Sequence, residues 1–198
     1  MATACSSSLI LAFPLLIILI AFPISTLATA PEEVRDIKGK KLLSGIDYYI
    51  LPAVQDAEGN GMIALAGSRK GTCPLDVIQQ DYNFYYGVPL KFFPVNPKMK
   101  TVSVSTDLNI KFNTEDRSCN ASMVWKLTAF DREVKQYFVG TDGSVGNPGR
   151  ETLSNWFKIE KYEEHYKLSY CPSVCKYCKV ICKDLGLLWI RGILDIWL

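Results

Sequence analysis

The sequence predicts an all-β fold. Short stretches with a two-residue alternation of apolar and polar side chains recur, long 3.6-residue periodicity is absent, and Gly/Asn/Asp/Ser clusters separate the stretches. Residues 101–105 (Thr-Val-Ser-Val-Ser), 108–112 (Leu-Asn-Ile-Lys-Phe) and 166–170 (Tyr-Lys-Leu-Ser-Tyr) alternate cleanly. Residues 124–127 and 156–162 are rich in aromatic and β-branched side chains, which suit a half-buried pleated surface. Turn signals stand between them at 58–61 (Glu-Gly-Asn-Gly), 67–71 (Gly-Ser-Arg-Lys-Gly) and 141–149 (Thr-Asp-Gly-Ser-Val-Gly-Asn-Pro-Gly). Many short strands with such punctuation are the pattern of a sandwich or barrel. No Pro- or Ser-rich linker divides residues 31–182, so one domain is expected there.

Residues 9–24 are apolar apart from Pro14 and Pro23, and no Lys, Arg, Asp or Glu precedes Glu32. That run is shorter than the roughly 20 residues a membrane span needs. Ala28-Thr-Ala30 offers the small residues of a signal-peptidase site. Residues 1–30 are therefore expected to be a signal peptide, cut after Ala28 or Ala30, with no membrane association once it is removed. The α-amino group supplies the only positive charge ahead of the apolar run. The destination is then extracellular, or vacuolar by the secretory route.

The chain carries 22 basic and 20 acidic side chains, a net charge of +2. That is no electrostatic case for nucleic acid, whose binders cluster positive charge. Enzyme chemistry is equally poorly supplied. The sole histidine, His165, sits in Glu163-Glu164-His165, and a general base needs a partner held in reach. No phosphate-binding glycine loop, Gly-x-Ser-x-Gly or His-Glu-x-x-His occurs. The reading is not an enzyme and no cofactor.

Seven cysteines are present; removal of Cys5 with the leader leaves six. Four of these crowd into Cys171-Pro-Ser-Val-Cys175-Lys-Tyr-Cys178-Lys-Val-Ile-Cys182. In an exported chain such a cluster reads as disulfides rather than a zinc site, and the compressed spacing suits tetrahedral zinc poorly. A nested pair, Cys171 with Cys182 and Cys175 with Cys178, fits a hairpin or tight loop and leaves Cys73 for Cys119. Six cysteines admit many pairings, so the spacing alone leaves the pattern open. No bound metal is expected. Asn120-Ala-Ser122 is an N-glycosylation sequon on the secretory route.

Near the mature N-terminus stands Val34-x-Asp36-x-x-Gly39-x-x-Leu42, followed by Tyr48-x-Ile50. Further motifs follow in order: Cys73-Pro-Leu, Ser105-Thr-Asp-Leu-Asn-Ile-Lys-Phe112, Val124-Trp-Lys-Leu127, Gly146-Asn-Pro-Gly149, Ser154-Asn-Trp-Phe-Lys-Ile-Glu-Lys-Tyr162, and Tyr166-Lys-Leu-x-Tyr170 running into the cysteine cluster. Together they resemble the plant Kunitz inhibitors, the soybean trypsin inhibitor family, in its miraculin-like branch. The resemblance spans residues 34–186.

What it implies is a β-trefoil over 31–186 with the disulfides Cys73–Cys119, Cys171–Cys182 and Cys175–Cys178. It also implies a rigid, substrate-like loop offered to a trypsin-like serine endopeptidase, with the reactive bond at Lys98-Met99. Pro94, Asn96, Pro97 and Lys100 would support that loop, and prolines flanking it would lower the entropy lost on docking. Ser44 occupies the position from which the family braces its loop with an Asn side chain. The alternatives are a non-inhibitory miraculin-like binding protein and a truncated variant whose activity is lost.

The last alternative comes from residues 187–198, Leu-Leu-Trp-Ile-Arg-Gly-Ile-Leu-Asp-Ile-Trp-Leu. They depart from the family pattern after Gly186 and read as an apolar tail replacing the closing strands, which would leave the trefoil incomplete at its C-terminus. Such a tail is either a core strand pair or an adhesive patch built on Trp189 and Trp197. The protein is expected to be a monomer unless the tail drives association.

Overall fold

A computed structural model describes residues 31–53, 61–69, 71–80, 87–115, 119–190 and 193–197; for 188–190, 193–195 and 197 it describes the backbone alone. The expectations for the leader 1–30, for residues 58–60 and for the Trp189 and Trp197 side chains lie outside these. The compact unit is residues 31–198. Among the described residues no helix is long and apolar enough to cross a membrane.

The described residues are all-β, with one short 3-10 turn at Leu153–Asn155. Strands β1 (Met62–Ala66) and β2 (Asp76–Gln80) form an antiparallel hairpin, as do β3 (Leu90–Pro94) and β4 (Leu108–Phe112). The two-residue strands β5 (Lys126–Leu127) and β6 (Val139–Gly140) pair with each other, and β6 touches β2 at Asp76. β7 (Lys158–Tyr162), β8 (His165–Tyr170) and β9 (Lys183–Asp184) make a three-stranded sheet. Residues 101–104 do not form a named strand; they bridge to the N-terminal segment through Leu43–Thr101 and Glu33–Ser103.

The core is aromatic. Trp125, Trp156, Phe112, Phe138 and Phe157 are fully buried. Trp125 lies 5.8 Å from Phe112 and meets Phe157 edge-on at 5.9 Å, a geometry that sets the positive rim of one ring against the π-face of the other. Buried Asn109 joins β4 to two turns at once. Its Nδ2 donates to Asn155 O at 2.8 Å, and its Oδ1 accepts from Gly146 N at 2.8 Å. Both ends of a polar side chain are thereby satisfied inside the fold, as burial requires.

The tail builds two strands. β10 (Gly186–Ile190) and β11 (Ile193–Trp197) form an antiparallel hairpin, and β11 pairs with β2 through Leu194–Gln79 and Asp195–Ile78. β1 already takes one edge of β2 along its whole length, so β11 covers the other at Ile78 and Gln79, beyond the contact with β6 at Asp76. Ile196 enters the main hydrophobic core.

Cysteines pair as Cys73–Cys119, Cys171–Cys182 and Cys175–Cys178. The first closes a separation of 46 residues, which the chain-entropy argument values at about 4 kcal/mol.

Candidate functional site

Residues 95–100 leave the end of β3 as an exposed loop, and its shape follows from two adjacent residues. Asn96 O accepts from Met99 N at 3.0 Å, closing a four-residue turn, and Asn96 Oδ1 accepts from Lys98 N at 3.1 Å. Asn at the first corner and Pro at the second are the residues that such a turn favours, because the amide oxygen mimics a backbone acceptor and the ring presets φ. Pro97 thus holds the second corner, Lys98 the third and Met99 the fourth. Lys98, Met99 (41% exposed) and Lys100 all face solvent. Neither lysine has an acidic partner among the described residues, whereas Lys91 reaches Asp47 at 3.7 Å.

Both ends of the loop are fastened by backbone hydrogen bonds. Upstream, Pro94 is buried at the end of β3, opposite Leu108. It has no N–H to give, so the next rung is Val95 N to Asp107 O at 2.8 Å. Downstream, Lys100 O accepts from Ser44 N at 2.9 Å. Ser44 therefore holds the loop with its main-chain amide, and its short side chain need not reach. Val102, fully buried, is held from both sides: its amide donates to Leu42 O and its carbonyl accepts from Val34 N, each at 2.9 Å.

The motif around residue 36 explains why the N-terminal segment can act as a clamp. Asp36 Oδ1 accepts from Lys38 N at 2.8 Å and Lys40 N at 2.9 Å, and Asp36 O accepts from Gly39 N. Gly39 adopts φ of 75°, where a Cβ would be strained. Residues 34–42 fold back on themselves around this turn, with Leu42 N donating to Val34 O. Glu33 and Lys41 pair across it at 2.7 Å, and the Lys41 hydrogen bond holds the Glu33 carboxyl below the usual carboxylate range. A second left-handed glycine, Gly45 at φ 74°, turns the chain so that its amide reaches Phe92 O in β3.

The other candidates lie elsewhere. His165 is exposed at the start of β8, opposite Tyr162. Asn120 is exposed beside buried Cys119. No group of three or more His, Cys, Asp or Glu able to hold a metal occurs among the described residues.

Asp107 is the contributor that sequence reasoning passed over. It lies inside the Ser105–Phe112 motif, and its partner, Ser173, is 66 residues away. Neither residue type nor spacing advertises that contact.

Residues 34–193 match the legume-type Kunitz family, described as trypsin and protease inhibitor. The chain belongs to this family. Kunitz-family inhibitors are not catalysts. The chain is 44% identical over 180 residues to Kunitz trypsin inhibitor 5 of Arabidopsis thaliana, covering 91% of this chain and 87% of that one. It is 45% identical over 170 residues to miraculin of Synsepalum dulcificum, covering 83% and 76%. Among solved structures, a Kunitz-type cysteine protease inhibitor from potato superposes with a TM-score of 0.71 at 33% identity, covering 85% of this chain and 91% of that one. The Kunitz fold seen here is accordingly all-β and trefoil-like, in a miraculin-like member with three disulfides.

Proposed function

We propose that this Kunitz-family protein is a secreted inhibitor that offers the Lys98-Met99 bond to a trypsin-like serine endopeptidase. The observation that carries the reading is the turn 96–99. It presents an unpaired lysine at its outer corner, and the chain on either side is tied down by Val95–Asp107 and Ser44–Lys100 hydrogen bonds. A loop already in its bound shape loses little entropy on docking, so the interaction energy is not spent on ordering. The lysine ammonium suits a specificity pocket with a carboxylate at its base. Once docked, a pocket-filling side chain at the centre of the contact dominates the affinity.

Secretion is supported by the apolar leader and by three disulfides, which form and persist in oxidising compartments. An exposed sequon at Asn120 is compatible with glycosylation on that route.

The test is titration of the secreted protein against trypsin, with Lys98→Ala and Lys100→Ala in parallel. Papain and subtilisin serve as comparison arms, since structural neighbours include cysteine protease and subtilisin inhibitors. Lys98→Ala is expected to weaken trypsin inhibition by at least 100-fold, about the loss of one hot-spot anchor, with an unchanged far-UV spectrum. Inhibition that survives Lys98→Ala and fails in Lys100→Ala moves the reactive bond. An inert wild type refutes the reading.

A further inference from the structure

We propose that Asp107 is a positioning residue for the inhibitory loop, carrying the restraint of the disulfide-closed segment 171–182 to the upstream side of the reactive bond. This rests on the reading of residues 95–100 as the inhibitory loop.

Three observations meet at Asp107. Its carboxylate is buried, with the residue 5% exposed. It accepts from Ser173 N at 3.1 Å (Oδ1) and 3.2 Å (Oδ2), and Oδ2 also accepts from Ser173 Oγ. Lys158 Nζ stands 4.0 Å from Oδ1, its side chain mostly buried as well. A carboxylate removed from water is costly unless paired and hydrogen-bonded, so this arrangement locks residue 107 to whatever carries its partners. Ser173 is carried by the segment that Cys171–Cys182 ties into a ring and Cys175–Cys178 tightens further.

The main chain of the same residue faces the loop. Asp107 O accepts the Val95 amide, and because Pro94 has no N–H this bond is the last rung before the loop begins. One residue thus has its side chain fixed by the disulfide ring and its carbonyl fixing the loop.

The chemistry of slow, reversible cleavage gives that link a purpose. Hydrolysis of the Lys98-Met99 amide adds one water and yields a carboxylate on Lys98 and an amine on Met99; resynthesis expels the water. Resynthesis competes only while both new ends stay in register, since an amine held against its acyl partner reacts at a high effective concentration. The amine end is held by Ser44 and the clamped Val102, and the carboxylate end by Val95 and Asp107. Loosening residue 107 releases one end and turns an inhibitor toward a substrate.

The experiment uses Asp107→Ala, Asp107→Asn and Ser173→Ala in the full mature protein. It reads the exchange of the Val95 amide in the free protein, and the rate at which catalytic trypsin cuts Lys98-Met99. Asp107→Ala is expected to speed Val95 exchange and cleavage by about tenfold or more, the scale of a lost hydrogen bond to a charged group. The Val102 amide, clamped separately, should exchange as in the wild type. Asp107→Asn, which keeps an acceptor oxygen, should recover part of the effect, and Ser173→Ala should fall between. Unchanged Val95 exchange in folded Asp107→Ala overturns the proposal, as does faster exchange without faster cleavage in a background that inhibits. Should Asp107→Ala fail to fold, Ser173→Ala, which keeps the carboxylate, decides by the same Val95 readout. A wild type inert toward trypsin refutes the inhibitory reading alone, and Val95 exchange still decides whether residue 107 braces the loop.

Discussion

Replacing Ile196 by Ala tests whether the apolar C-terminal segment is part of the core or only lies against it. Ile196 is 4% exposed and belongs to the same cluster as Val77, Leu90 and Trp125. Truncating a buried Ile to Ala removes its transfer energy and leaves a cavity, together about 3 kcal/mol. For a domain of this size each kcal/mol moves the melting midpoint by about 2–4 °C, so a fall of about 6–12 °C is expected. Leu187 supplies the contrast within the same hairpin. It is 44% exposed, and Leu187→Ala should cost under about 1 kcal/mol. Scanning calorimetry with the disulfides intact measures both. An Ile196→Ala midpoint within about 2 °C of the wild type, or equal losses from both variants, would refute the placement of β11 in the core.

Two further outcomes are expected. Gly45→Ala meets no atom closer than Phe93 at 3.8 Å, so its penalty is the left-handed backbone alone, about 1–2 kcal/mol. Trypsin inhibition should weaken by about tenfold as the adjacent Ser44 amide shifts from Lys100, and an unchanged inhibition constant counts against that brace. Tyr170 donates its hydroxyl to Leu153 O, and burial pushes its phenol up to about 12 from an ordinary 10.0. Above pH 10 the unfolded chain therefore gives up a proton that the folded chain keeps, and stability falls as pH rises toward 12. Below pH 10 both states keep it and nothing is lost. Tyr170→Phe should flatten this alkaline slope in denaturant titrations between pH 8 and 11.5; parallel slopes would refute the assignment.

The strands legible in the sequence are those whose residue types alternate or concentrate aromatic side chains, whatever their burial: in β4 the polar Asn109 is itself buried and only Lys111 is exposed. β4, β7 and β8 fall on the segments whose side chains alternate or concentrate aromatic residues. β1 and β2 escaped notice because their residue types do not alternate: β1 reads Met-Ile-Ala-Leu-Ala and β2 Asp-Val-Ile-Gln-Gln, with Asp76 to Gln79 buried on consecutive positions. β3 does alternate in burial, but Phe93 and Pro94 hide it by being apolar on both faces. The loop itself was readable from Asn96-Pro97-Lys98, where local chemistry sets the turn. Its anchoring was less so. The Ser44 contact is made by an amide that every residue except proline carries, so side-chain identity says little about it. Asp107 depends on Ser173, and long-range pairs of common polar residues leave no local pattern.

The clamp on Val102 also sets a timetable for synthesis. Residues 34–42 emerge first, yet their partner at 102 follows some sixty positions later, and the open edge of β2 waits for residues 194 and 195 near the end of the chain. Contacts of such long sequence separation form slowly, because loop closure must precede any gain from them. Until then an unpaired strand edge and a newly made apolar hairpin are both available for misassembly.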